Sequence, residues 1–591
     1  MDTLCQNIPN IIRRALLLAV ILLALWLPRG LELDRFVATD EVAWLWRSAN
    51  FYYALGQRDF AATDLNRSPG VVTMWVDTIA YLVEFPQYRG LGQGLLDKYA
   101  VLEEFLLEHG VHPHDILVTA RKWMVLLNVG VLVVAFWLAR RLFGLYPALI
   151  GFLLIAFDPY HAAVTRLAHL DGPLSSFMFL SLMAFLVYLY QGKHIAIIVL
   201  SAVSGGLAVL AKIPGLLLPP TVGLLGLLDT WQMRSELRAQ GHGFYLWRTL
   251  IKPGLIWGTV FLLTMVAFYP ALWVQPVQSG ASLALSPFKF VGKVARNDVH
   301  QPDKGGELSL ESGDAEVFNG ILSRPMEYFL RYPEKYLWHS TPITLLGLMA
   351  AFIALLRQYT PFHERKIRQA TSGLILFTLI YTLCITIPPK SSSKYYLPVY
   401  PVLGLIAGMG WYALAERSKS YLPKAGKKII PALALVVVVL LQAQQCWSVH
   451  PYYLTYLNPW MAANPQAREN LSMGSGEGLD LAAAYLNQKP GAENLHVLSW
   501  YGTGPFSFYF VGYTEPIRVG SRFDHPEAIR RLKDMDYLVV YSNQWQRQIP
   551  GGLFPLIEGV EPEKRIFLNG IEYVRIYDVE AIPEERFTLQ P

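Results

Sequence analysis

Long apolar blocks with short polar connections fill residues 1–447, and mixed segments fill the remainder. The blocks fall near 11–29, 116–139, 145–157, 173–191, 195–211, 213–229, 253–272, 341–357, 371–388, 397–415 and 429–447. Most approach the roughly 20 apolar residues that a helix needs to cross a bilayer. The pattern therefore predicts eleven spans, with the proline-interrupted blocks 145–157 and 213–229 the shortest. The first block follows Arg13-Arg14 and ends in Leu27-Pro28-Arg29-Gly30 without a small-x-small cleavage signal. It reads as a retained helix and not as a cleaved signal peptide.

Short basic connections set the orientation. Arg13-Arg14, Arg140-Arg141, Lys193, the Arg234/Arg238/Arg248/Lys252 segment, Arg365-Lys366-Arg368 and the Arg417 to Lys428 segment all fall on one side of an eleven-span chain. By the positive-inside rule that side, with the N-terminus, is cytoplasmic. The outer side of the cytoplasmic membrane then receives 30–115, 158–172, 274–340, 389–396 and the tail 448–591. Within the first of these, the aromatic-rich runs 41–55 and 71–85 are too short and polar to span and fit helices lying along the membrane surface.

The tail changes period. Leu479–Leu486 and Pro526–Lys533 read as helices, and His496–Trp500 and Tyr537–Tyr541 as strands. Lys564–Val579 carries Asn569-Gly570 between alternating runs, a hairpin signal. The expected fold is a polytopic α-helical membrane protein, residues 1–447, followed by an extracytoplasmic α/β domain, residues 448–591.

Composition agrees: 53% of residues are hydrophobic and 16% charged, with a mean hydropathy of +0.31. These values exclude a large soluble enzyme. The net charge of +5 encodes orientation and gives no reason to expect nucleic acid. Cys5, Cys384 and Cys446 lie in or beside apolar blocks without metal-ligand spacing, so neither a disulfide nor a zinc site is expected. The spacing of His161, His169, His300 and His339 is likewise not that of a metal site.

Asp40 and Glu41 stand just after the first span. Thr39 or Asp40 would cap the following helix, with Glu41 favourable in its first turn. Carboxylates at a membrane interface also carry a functional reading. Adjacent helical residues point about 100° apart, so one acid is assigned to chemistry and the other to support. Downstream, Arg67 and Arg121 are each either snorkelling side chains or phosphate ligands. Asp171, before Gly172-Pro173, either caps a span or takes part in chemistry. Lys390 and Lys394 put two cations on an outer loop, against the charge rule, which suggests a phosphate partner.

The ordered set Asp40-Glu41, Asn66-Arg67-Ser68-Pro69-Gly70, Ala139-Arg140-Arg141-Leu142-Phe143, Arg166 to Pro173 and Lys394 to Pro401 resembles the GT-C glycosyltransferases. The nearest branch holds the protein O-mannosyltransferases of glycosyltransferase family 39 and the lipid A aminoarabinose transferases. The resemblance covers most of 30–410. It implies transfer of a sugar from a polyprenyl-phosphate carrier to a lipid, glycan or protein acceptor, with inversion. By the same resemblance Asp40 is the base, supported by Glu41 and Asp171. Arg67, Arg121, Lys390 and Lys394 then hold the donor phosphate, and Asn66, Arg166, Tyr395 and Tyr396 bind substrate. The sequence requires no cofactor, and a divalent metal is left open. The rival reading is a non-catalytic lipid-sugar flippase, which would distribute ionisable residues across both halves of a path.

Overall fold

The computed structural model describes residues 2–65, 68–92, 99–232, 246–295, 325–387, 392–424, 426–427, 429–463, 474–517 and 521–587. Each of the eleven predicted spans is helical. Among the described residues, seven helices are long and apolar enough to cross a membrane alone: Pro113–Phe143, Asp171–Tyr190, Ile213–Gln232, Trp247–Phe268, Arg365–Thr386, Ser393–Tyr421 and Ile429–Trp447. The helices Ile195–Ala211 and Pro342–Leu356 are shorter, and the first predicted span lies within Asp2–Gly30. Counting the bent pair described next as one span brings the helices that pass on length and composition to eight among the described residues.

That pair is Leu145–Ala156 and Pro159–Thr165, which meet at 68°. The stretch 158–172 folds back into the protein with every residue buried. Arg29 explains how a broken helix is tolerated there. Its guanidinium donates to the carbonyls of Ala156 (3.0 Å) and Ile155 (3.2 Å), to Thr165 Oγ1 (2.8 Å), to Leu25 O (2.9 Å), and lies 2.9 Å from His161 Nδ1. Carbonyls that the break leaves without helical partners are satisfied by a buried cation.

Local signals fix the helix ends. Pro113 occupies the first turn after the His112 cap, whose side chain accepts from His114 N, and Gly144 (φ +91°) ends the helix. Asp171–Tyr190 is apolar all round and buried from Asp171 to Leu189, as a helix at the bundle centre must be. The runs expected as surface helices are Thr39–Gly56 and Val71–Glu84. Both are packed into the protein, with Trp44, Leu45, Phe51, Met74 and Tyr81 buried.

The tail carries a five-stranded sheet: β1 (His496–Trp500), β2 (Tyr513–Ile517), β3 (Tyr537–Tyr541), β4 (Lys564–Leu568) and β5 (Ile571–Asp578), in the order β2-β1-β3-β5-β4. The first three strands are parallel, and β5 joins β3 and β4 antiparallel. Asn569 and Gly570 both have positive φ, the geometry of the anticipated hairpin turn. β2, which contains Glu515-Pro516, went unpredicted: it sits at the sheet edge, where proline is tolerated.

This sheet region is tied to the start of helix Thr39–Gly56. Thr39 N donates to Ser475 O at 2.9 Å, Tyr509 donates to Asp34 O at 2.7 Å, and Phe508 packs with Val42, Leu45, Leu102 and Ile116. Gly476 (φ +120°) and Gly504 (φ +85°) allow the approach, because a Cβ on either would collide with Val37 O or the Val42 side chain.

Candidate active site

Helix Thr39–Gly56 begins at an extended Ala38, so neither Thr39 nor Asp40 is the cap. Glu41 reaches back instead, accepting from Ala38 N at 2.9 Å. It also accepts from Ala168 N (2.9 Å) and from Arg121 Nε (2.8 Å) and Nη2. The remaining Arg121 N–H groups go to the carbonyls of Leu33 (2.6 Å), Arg35 (3.0 Å) and Phe36 (2.8 Å). Both side chains are buried. A charge pair removed from water persists only when its donors and acceptors are used, and a guanidinium has five N–H donors. Arg121 has none left for a phosphate, and Glu41 has no access to a substrate. Their assignments as donor ligand and catalytic acid are corrected: together they brace the loop that presents Asp40.

Asp40, one residue earlier, points away from this brace into a chain in which carboxylates alternate with nitrogen groups. Lys394 Nζ donates to its Oδ2 at 2.7 Å, and His169 Nε2 lies 3.6 Å from the same oxygen. His169 Nδ1 is 3.1 Å from Asp171 Oδ2, and Lys212 Nζ donates to Asp171 Oδ1 at 2.8 Å. Lys212 also sits 4.3 Å from the centre of the Tyr395 ring. The contributions come from the start of Thr39–Gly56, the start of Asp171–Tyr190, the end of Ile195–Ala211 and the start of Ser393–Tyr421. All meet at one end of the bundle.

Within the chain the two carboxylates differ. Asp171 is fully buried, whereas the Asp40 side chain is 36% exposed and the Lys394 side chain 13%. Lys394 is the chief cause holding the Asp40 carboxyl well below the usual range, against the opposing effect of burial, with His169 and Lys212 adding to it. Asp40 is therefore an ionised, reachable acceptor, and Asp171 an anchor that orders His169 and Lys212.

The structure brings together Asp40, Asp171, Lys394 and Tyr395 from the predicted set. Asp171 caps nothing: Leu170 occupies the cap position. Arg166 is corrected from substrate ligand to structural tie, since its guanidinium donates to the carbonyls of Leu31, Glu32 and Pro451. Tyr396 is also structural: it is buried, shares a hydrogen bond with Thr382 Oγ1 (2.8 Å) and stacks on Tyr332 at 5.8 Å. Asn66, Arg67 and Lys390 lie outside the described residues.

His169 and Lys212 are the members that sequence reasoning missed. Lys212 ends an apolar block on the outer side of the predicted topology, so the charge-rule argument applied to Lys394 selects it too. His169 carried a weaker signal, two residues before Asp171 in the same motif. Among the described residues no group of three His, Cys, Asp or Glu side chains is placed to hold a metal ion.

No curated protein matches the chain by sequence. Among solved structures, ArnT from Cupriavidus metallidurans bound to undecaprenyl phosphate is 14% identical, with 96% of this chain and 98% of that one covered at a TM-score of 0.42. An Archaeoglobus fulgidus oligosaccharyltransferase in complex with zinc and sulfate is 13% identical, with 96% and 74% covered at a TM-score of 0.46. Residues 39–274, which carry Asp40, the Glu41–Arg121 brace, His169, Asp171 and Lys212, match the sequence model of the dolichyl-phosphate-mannose-protein mannosyltransferase family, the branch that the ordered motifs resemble.

Proposed function

We propose that this protein is an inverting membrane glycosyltransferase that moves a sugar from a polyprenyl-phosphate-linked donor to an acceptor hydroxyl on the outer side of the cytoplasmic membrane. The observation that carries the proposal is the partly exposed Asp40 carboxylate held 2.7 Å from Lys394, inside a chain segment similar to mannosyltransferases that use a lipid-phosphate sugar. One group is suited to take a proton and its neighbour to hold a phosphate.

The acceptor oxygen attacks the anomeric carbon and gives its proton to Asp40. The bond from that carbon to the phosphate oxygen breaks, and the polyprenyl phosphate leaves with the electron pair. Lys394 faces the charge that grows on it. The same geometry couples the two substrates. While Lys394 is paired with Asp40, the carboxylate is a weak base; when the donor phosphate takes Lys394, Asp40 loses its largest stabilising charge and its basicity rises. The clustering of ionisable groups at one end of the bundle favours this reading over a flippase, whose path needs such groups along its length. The acceptor is a lipid, glycan or protein hydroxyl.

The test uses purified protein in lipid nanodiscs and a panel of synthetic polyprenyl-phosphate sugars. Release of polyprenyl phosphate that depends on Asp40 supports the proposal and identifies the donor. Tight donor binding without turnover, with acceptors present, refutes it in favour of transport.

A further inference from the structure

The tail does more than cover the bundle: its residue Tyr501 is held in a constrained position beside the Asp40 site. Tyr501 follows β1 and has φ +55° and ψ +37°. That left-handed conformation is costly for a bulky side chain and persists only where the surroundings impose it, often at functional sites.

The surroundings here are specific. Asn543, at the start of helix Ser542–Arg547, donates from Nδ2 to the Tyr501 hydroxyl at 2.6 Å. The Trp500 and Tyr541 rings lie 5.5 Å and 5.6 Å from the Tyr501 ring. Burial raises the phenol pKa, with the Trp500 and Asn543 side chains opposing, the Asp40 charge adding to it and the Lys394 charge opposing, so the group keeps its proton. The glycine-bounded turns that seat the tail on Val37 and Val42 fix this relationship from both sides of the Asp40 segment.

Two hydrogen-bonding capacities stay open. Tyr501 accepts from Asn543 and retains its own O–H to donate. Asn543 is buried, yet its Oδ1 has no partner. A donor beside an acceptor matches a group that is both, which is a hydroxyl. A buried amide oxygen without a partner carries a free-energy cost that a ligand can relieve.

We propose that Tyr501, held by Asn543, is the acceptor-positioning residue of the site and binds the hydroxyls of a saccharide acceptor next to Asp40. The proposal rests on the transferase reading above and names its acceptor class. The extramembrane sheet is then part of the binding site, supplying specificity to a reaction whose proton acceptor lies in the helical bundle.

The experiment uses the full chain in nanodiscs, a donor sugar that supports turnover, and two acceptor probes: alkyl glycosides and a serine/threonine peptide. Binding of polyprenyl phosphate alone is measured in parallel. Tyr501→Phe removes one oxygen and keeps the ring; Asn543→Leu removes the amide at similar volume. Each is expected to raise the KM for alkyl glycosides roughly tenfold, the worth of one hydrogen bond, with polyprenyl-phosphate affinity unchanged and Tm lowered only by the loss of the Asn543–Tyr501 bond. An unchanged glycoside KM overturns the assignment, as does an equal loss of donor affinity together with a lowered Tm, which would make the tail a brace only. Transfer to the peptide with glycosides inert overturns the saccharide class. Failure of the native chain to bind polyprenyl phosphate removes the transferase reading itself, and this proposal with it.

Discussion

Glu41 and Arg121 form a closed unit. The carboxylate takes two N–H groups of the guanidinium, and the other three go to Leu33, Arg35 and Phe36. Asp40, adjacent in sequence, is turned toward Lys394. The acid pair is thereby divided into a buried structural member and a partly exposed one, because neighbours on a helix face different directions.

Removing Arg121 therefore tests stability before chemistry. Arg121→Leu strands a buried carboxylate and three carbonyls, at a cost of about 3–5 kcal/mol. Thermal unfolding in detergent should show a large drop in Tm, and Arg121→Lys, which lacks the planar fork, should recover only part of it. A variant that kept its Tm but lost donor affinity would return Arg121 to the phosphate site.

Asp40→Asn should show the reverse pattern. Its ion pair with Lys394 is partly exposed, and such pairs contribute about 1 kcal/mol or less. Loss of a general base lowers turnover by roughly 10²–10⁴-fold. The comparison is Tm against polyprenyl-phosphate release in one preparation, and a large fall in Tm with turnover retained would refute the catalytic role.

These contrasts show which features were legible beforehand. The helices were visible because a bilayer solvent demands long apolar runs, and the hairpin because Asn569-Gly570 suits a two-residue turn. Asp40 and Lys394 were visible as charges in costly places. Less accessible was the division of labour among the charges. Arg121 and Lys394 carry similar signals along the chain, and only the three-dimensional partners separate a saturated guanidinium from a reachable ammonium. The fold-back at Pro159–Thr165 was hidden because Arg29, its stabiliser, lies 127 residues before Ala156 at the end of another block. The run Gly474-Ser475-Gly476-Glu477-Gly478 docks the tail on Val37 and Thr39, a use that glycine spacing along the chain does not describe.

Lys212 and Asp171 should behave as a coupled pair. Lys212→Met leaves Asp171 buried beside His169 without its cation, a loss of about 3–5 kcal/mol. Adding Asp171→Leu removes the stranded charge and should restore much of the stability, so that a double-mutant cycle gives a strong coupling. Additive losses would place the two residues in independent roles.

Glu103 gives the junction between bundle and tail a pH dependence. It lies with Val42, Leu45 and Phe508 around a small cavity, and burial pushes its carboxyl up to about 7, with Ser507 opposing. Its unfolded value is about 4.3, so the native state binds the extra proton between those values. Stability then falls as pH rises through this window, by at most ~1.4 kcal/mol per pH unit for one proton, and the loss is complete above it. Glu103→Gln should flatten the Tm profile between pH 5 and 7; an unchanged slope would assign the dependence elsewhere.

The final prediction concerns the coupling between Lys394 and Asp40. The proposed mechanism requires Asp40 ionised, and Lys394 is the largest influence keeping it so. In Lys394→Met the carboxyl pKa rises, so the acid limb of the kcat/KM profile, which reports the free enzyme, should move to higher pH. In the native protein the donor phosphate performs the same removal when it engages Lys394. The acid limb of kcat, which reports the loaded enzyme, should therefore already lie above that of kcat/KM, and the substitution should narrow the gap between them. Donor affinity should fall as well, because the phosphate loses a cation. Coincident native limbs that stay fixed in Lys394→Met would show that the lysine serves Asp40 only as a structural partner, and the mechanism would need another phosphate ligand.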